Sequence, residues 1–162
     1  MKVSSIQFLG YADGYLVPDL DLRKMVVRVI RQMKPDILVS CDPENYYPSN
    51  RSLNHPDHRA AGRIVVDTCF PAAGNPLFFP ELLSEGIQPH PIEELWLSVT
   101  HDPNLVIDIT GSWHEKMEAL RMHKSQIGDE EKFLQRMLSR RTPDSSLEEP
   151  RFEEKFRRIK FG

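Results

Sequence analysis

An α/β fold built on parallel strands is what this sequence predicts, and three observations carry the prediction. Residues 3–41 run strand, helix, strand, one βαβ unit whose crossover is expected to be right-handed. The second strand, Ile37-Leu38-Val39-Ser40-Cys41, is apolar on both faces, as strands buried in parallel sheets usually are. The composition is that of an ordinary domain: 162 residues, 40% hydrophobic and 28% charged. It excludes collagen-like, coiled-coil and disordered chains. No apolar run approaches the ~18 residues of a membrane span. A net charge of −3 offers no basic footprint for nucleic acid. The opening residues, Met1 to Ile6, lack the long apolar core of a signal peptide. Cys41 and Cys69 sit in apolar surroundings and read as buried thiols rather than a bridge, which fits a reducing cytoplasm.

Each element follows from its own pattern. Val3 to Leu9 is apolar and runs into Gly10 and the turn-like Asp13-Gly14, so it reads as a strand. From Asp19 to Lys34 the residues Leu22, Met25, Val26, Val29, Ile30 and Met33 form one helical stripe. Asp19 or Asp21 caps its start and Pro35 stops it. Asp42 to Asn54 is a polar loop with Pro43, Pro48, two tyrosines and three asparagines. Pro56 suits a first helical position, opening a helix to about Cys69. Pro71 to Pro91 is a proline-rich excursion of the length that is usually functional or mobile. Glu94–Thr100 and Leu105–Ile109 read as strands. Ser112-Trp113-His114-Glu115 has the form of a capping box that opens a helix to about His123. Asp129–Ser139 is a short helix with Phe133, Leu134, Met137 and Leu138 inward. Residues 142–162 are expected to form a charged C-terminal tail anchored only by Phe152, Phe156, Ile159 and Phe161.

Loops at the C-terminal ends of parallel strands are where open α/β sheets bind ligands. The loop after Cys41 ends in His55-Pro56-Asp57-His58, two histidines three apart at a helix start. On one face, both imidazoles reach a common point. Imidazole is a frequent zinc ligand, and Asp57 stands where it can orient a ring from behind. The spacing equally suits an exposed pair with a capping role. His90, His114 and His123 read as structural or surface residues, and Trp96 and Trp113 as core.

The run Asn54-His55-Pro56-Asp57-His58-Arg59-Ala60-Ala61-Gly62 resembles the second signature of the LmbE-like, or PIG-L, zinc-dependent N-deacetylases. Phe8-Leu9-Gly10-Tyr11-Ala12-Asp13-Gly14 is similar to the family's Leu-Gly-x-x-Asp-Gly turn. Further along, Ile30 to Asp36, Thr100 to Asn104, Val106 to Thr110, Lys116 to Gln126 and Glu154-x-Phe156 resemble later family segments in the same order. The resemblance implies a Rossmann-like parallel sheet flanked by helices. It implies hydrolysis of the N-acetyl amide of a small-molecule N-acetylglucosaminyl conjugate. His58 then matches a zinc ligand, and His55 the histidine that stabilises the oxyanion or protonates the leaving amine. Asp13 matches a position that contacts substrate hydroxyls.

The family's Ala-His-Pro-Asp-Asp motif supplies two further zinc ligands and the general base, and no His-Pro-Asp-Asp occurs in this sequence. The chain begins about where the family's third strand should be. Residues 1–162 are therefore expected to be the C-terminal two-thirds of one N-terminally truncated domain, inactive alone and self-associating through exposed sheet edges. Asp42, Asp57 and His101-Asp102 are the local candidates to replace the absent ligands. The alternative is a catalytically dead sugar-binding or interaction remnant of the same fold. A nucleotide-binding α/β protein is disfavoured, because no Gly-rich phosphate loop follows Leu9 or Cys41.

Overall fold

The computed structural model describes residues 3–162. Its elements are α1 (Leu20–Met33), β1 (Ile37–Cys41), α2 (Pro56–Asp67), α3 (Glu81–Ser84) and β2 (Glu94–Ser98). There follow β3 (Leu105–Asp108), α4 (Trp113–Arg121), α5 (Lys124–Ile127), α6 (Glu130–Leu138) and β4 (Glu153–Lys160). The strands order β1-β2-β4-β3. β1 and β2 are parallel, with Ile37 opposite Glu94 and Cys41 opposite Ser98. β4 runs antiparallel to β2, with Phe156 opposite Ser98 and Lys160 opposite Glu94. The α/β class with helices flanking the sheet is as expected, and the sheet is mixed because of β4. Two compact units are present, one of Gly10–Leu105 with Lys155–Gly162, the other of Val106–Glu154 with the segment ending at Leu9. No helix among the described residues is long and apolar enough to cross a membrane.

In the larger unit, Asp19 caps α1 by accepting a 2.8 Å bond from the Leu22 N–H. Lys34 ends the helix in the left-handed conformation, its N–H returning to the Ile30 carbonyl. The buried face is Leu22, Val27, Ile30 and Arg31, whereas Met33 is exposed. The apolar stripe thus misplaced one edge of the helix, because the 68–79 excursion covers the flank that carries Val27 and Arg31. Val27 packs with Ala72 and Leu82 there. Arg31 is 1% exposed, and its guanidinium donates to the carbonyls of Ala72, Ala73, Asn75 and Phe78 at 2.9–3.0 Å. One buried cation thus gathers four backbone carbonyls, of which those of Ala73 and Asn75 also accept from the N–H groups of His90 and Phe78. Beside it, Ile30, Cys69, Ala73, Ile92, Leu95 and Leu97 form the main core, with Leu38 and Ile159 packed against them. Burial pushes the Cys69 thiol up to about 11, and both cysteines are free.

Three expectations are corrected. Val3–Leu9 forms no strand: it pairs with no neighbour, and Val3, Ile6 and Phe8 are exposed. A strand exists only where a second backbone takes up its hydrogen bonds, so apolar content alone overcalled it. β1 is buried on one face only, since Leu38 meets the core while Ile37 and Val39 point the other way and are exposed. The third correction is the charged tail, within which Glu153–Lys160 is an inner strand. Phe156 is buried against Trp96, their ring centroids 5.7 Å apart. The intervening charges find partners: Arg157 pairs with Asp102, and Lys160 lies 3.3 Å from Glu94.

In the smaller unit, Met117, Phe133 and Met137 are buried together, and Trp113 stacks on Phe152 with centroids 3.5 Å apart. Asp129 caps α6 through the Lys132 N–H. Ser112 makes no such cap, its hydroxyl donating instead to the Ile109 carbonyl at 3.4 Å. The 3₁₀ turn Thr110–Ser112 that precedes α4 already turns this serine back on itself.

Candidate active site at the start of the second helix

His55 is the N-cap of α2, and its Nδ1 accepts a 3.2 Å bond from the Asp57 N–H. In the neutral ring an accepting Nδ1 leaves the proton on Nε2. That N–H edge lies 4.0 Å from the Asp13 Oδ1. The His58 ring, three residues on, has its centroid 5.4 Å from that of His55, tilted by 49°. Both rings are exposed.

Asp13 is brought here by the Asp57 carboxylate. One of its oxygens accepts from the Gly14 N–H at 2.6 Å and the other from the Leu16 N–H at 3.1 Å. Charge-assisted bonds of this kind are among the stronger ones, and these two fasten the 10–18 loop to the helix start. Gly14 adopts φ +84°, a conformation open to glycine at little cost. Asp57 therefore serves His55 through its backbone and the Asp13 loop through its side chain.

The position of α2 is set from below. A Cβ on Gly62 would lie 2.3 Å from the Cys41 carbonyl oxygen, so only glycine allows the helix to approach the end of β1 this closely. The 42–54 loop is locked by two asparagines. Asn45, 3% exposed, donates to the Val99 carbonyl at 2.5 Å, and Asn54 donates from its side chain to the Asn45 carbonyl at 2.9 Å. Sequence reasoning counted these asparagines only as loop formers. Their signal was their position, each flanking a turn that has to be satisfied inside the protein.

The expected site residues Asp13, His55, Asp57 and His58 converge, and the other candidates do not. Asp42 accepts from the Glu44 N–H, and Asp102 is paired with Arg157. Among the described residues, the group able to offer three metal-ligand atoms is Asp13, His55 and Asp57, these atoms lying within 4.8 Å of one another. The Asp57 oxygens already hold Gly14 and Leu16. Imidazole donors suit zinc, and His58 fits as one ligand. The three ligands of a catalytic zinc site are not assembled around His58 among the described residues.

Residues 1–69 match the family described as PIG-L: GlcNAc-PI de-N-acetylase. That stretch holds both the Asp13-Gly14 turn and the His55–His58 pair. The chain is 34% identical over 130 residues to a diacetylchitobiose deacetylase of Thermococcus kodakarensis, covering 80% of this chain and 46% of the relative. It is similar in structure to an N,N'-diacetylchitobiose deacetylase of Pyrococcus horikoshii solved with its inhibitor MPG. The TM-score is 0.82 and the identity 29%, over 98% of this chain and 58% of that one. The conserved protein TT1542 of Thermus thermophilus shares the fold, with TM-score 0.66 at 21% identity over 92% of this chain and 63% of that one. The chain thus spans about half the length of the deacetylases it matches. Motif and fold agree, and over the stretch that carries the motif the chain is similar to the PIG-L family of LmbE-like deacetylases.

Proposed function

We propose that this chain carries part of the site of a zinc-dependent N-deacetylase acting on an N-acetylglucosaminyl conjugate. The observation that carries this is the pairing of His55 and His58 at the start of α2 with Asp13 held beside them. In the reaction, water adds to the N-acetyl carbonyl, the C–N bond breaks, and acetate and a free amine leave. His55 donates a hydrogen bond from its Nε2–H to the oxygen on which negative charge develops, while the proton that the departing nitrogen takes up comes from the attacking water. Asp13 accepts a hydrogen bond from a sugar hydroxyl. His58 is one ligand of the metal, which when bound supplies Lewis acidity toward the amide.

On this reading the chain by itself is inactive, because a ligand set and a general base are not completed by its own residues. Two free cysteines suit a cytoplasmic protein. After zinc loading, metal analysis is expected to give substoichiometric zinc that falls further in His58→Ala, with no acetate released from N,N'-diacetylchitobiose. Unchanged zinc in His58→Ala overturns the ligand assignment. Stoichiometric zinc with acetate release overturns inactivity. The second reading, a sugar-binding remnant, is favoured by the intact Asp57 clamp on the Asp13 loop. It predicts diacetylchitobiose binding that is lost in Asp13→Ala and independent of zinc.

A further inference from the structure

Along another face of α2 runs a groove of about 620 Å³, which neither His55 nor His58 lines. Arg59 and Arg63 line it, one helical turn apart, together with Leu16, Pro18, Glu44 and Tyr46. Neither guanidinium has an ion-pair partner among the described residues. Of the two acidic side chains that line the groove, Asp67 is paired with Arg23, so Glu44 leaves one positive charge in excess. Like charges four apart on a helix repel, and an anion between them reverses the sign of that interaction.

One of the two arginines is also restrained. Arg59 lies 4.0 Å over the Tyr46 ring, and its Nε is buried with no hydrogen-bond partner. The ring restricts the guanidinium's freedom, and Arg59 is among the residues that line the groove. Tyr46 is itself held, its N–H donating to the Glu44 carbonyl and its carbonyl accepting from Asn54. A rigid platform, a restrained fork and a second cation one turn away form an arrangement suited to a tetrahedral oxyanion. We propose that this groove binds a phosphate group, its oxygens shared between Arg59 and Arg63. The proposal does not rest on the deacetylase assignment, since the groove excludes both histidines.

Calorimetric titration at low ionic strength tests it, with inorganic phosphate, glucosamine 6-phosphate and neutral glucosamine as probes. Phosphate is expected to bind in about the millimolar range, and glucosamine not to bind. Arg63→Gln is expected to weaken phosphate about tenfold, the loss of one charge-assisted contact. Arg63 is exposed, so near-ultraviolet circular dichroism should confirm an unchanged fold. Arg59→Lys keeps the charge and is still expected to weaken binding, because lysine lacks the fork and the stack. Tighter binding of glucosamine 6-phosphate than of phosphate assigns the group to a sugar ligand, and equal binding assigns it to free phosphate. No binding of either phosphate, or equal affinity in both variants, overturns the proposal. A chain that binds phosphate and hydrolyses no amide leaves it standing.

Discussion

At the scale of single residues, Asp57 does the most with the least sequence signal. Its place between two histidines suggested service to an imidazole ring. The structure gives that task to its backbone N–H and gives its carboxylate to the amides of Gly14 and Leu16, more than forty residues away. Asp57→Ala is therefore expected to loosen the 10–18 loop. Hydrogen exchange at the Gly14 and Leu16 amides should accelerate, and urea unfolding should show a loss of about 1–2 kcal/mol. Unchanged protection at both amides would show that the loop is held by something else. Asp13, His55 and His58 were legible because the motif places them in one short stretch or in one tight turn. Arg31 was not legible. A charged residue inside an apolar stripe looks solvated until the excursion that folds over it is known, and that excursion begins forty residues later.

At the scale of elements, Gly62 decides where the site stands. By helix propensity alone, Gly62→Ala should stabilise α2 by about 1 kcal/mol. The added methyl meets the Cys41 carbonyl at 2.3 Å, and backbone has to move to admit it. The expected result is a net loss of about 1–3 kcal/mol, the range of overpacking. Thermal melting checks the sign, with Ala61→Gly on the same helix as the propensity control. A rise in Tm for Gly62→Ala would mean that α2 is free to shift away from β1. Most helices were legible because an apolar period or a cap marked them. β4 was hidden by its composition: six of its eight residues are charged, and its partners lie on strands far back in the sequence. Pairing energy decided that segment, and a local pattern does not report pairing. The reverse error at Val3–Leu9 has the same origin.

At the scale of the whole molecule, β1 stands at the end of the strand order and presents Ile37 and Val39 to solvent. An end strand with an unpaired edge and apolar side chains is a template for another chain. Self-association is the expected behaviour, measured by light scattering on a sizing column at increasing concentration. Val39→Lys places a charge on that strand and is expected to raise the monomer fraction. A wild-type chain that stays monomeric throughout, or a variant that associates equally, would exclude this edge. The position of β4 has a further bearing on how the fold is made. β2 borders β1 on one side, and its other side is filled by residues that the ribosome supplies about sixty positions later. Until Phe156–Lys160 emerge, the inner edge of the sheet stays open, so a nascent chain stalled before that point leaves the edge of β2 unpaired as well as that of β1. Assembly of this sheet is thus timed by its last strand, and a holdase acting during synthesis would find its target in β2.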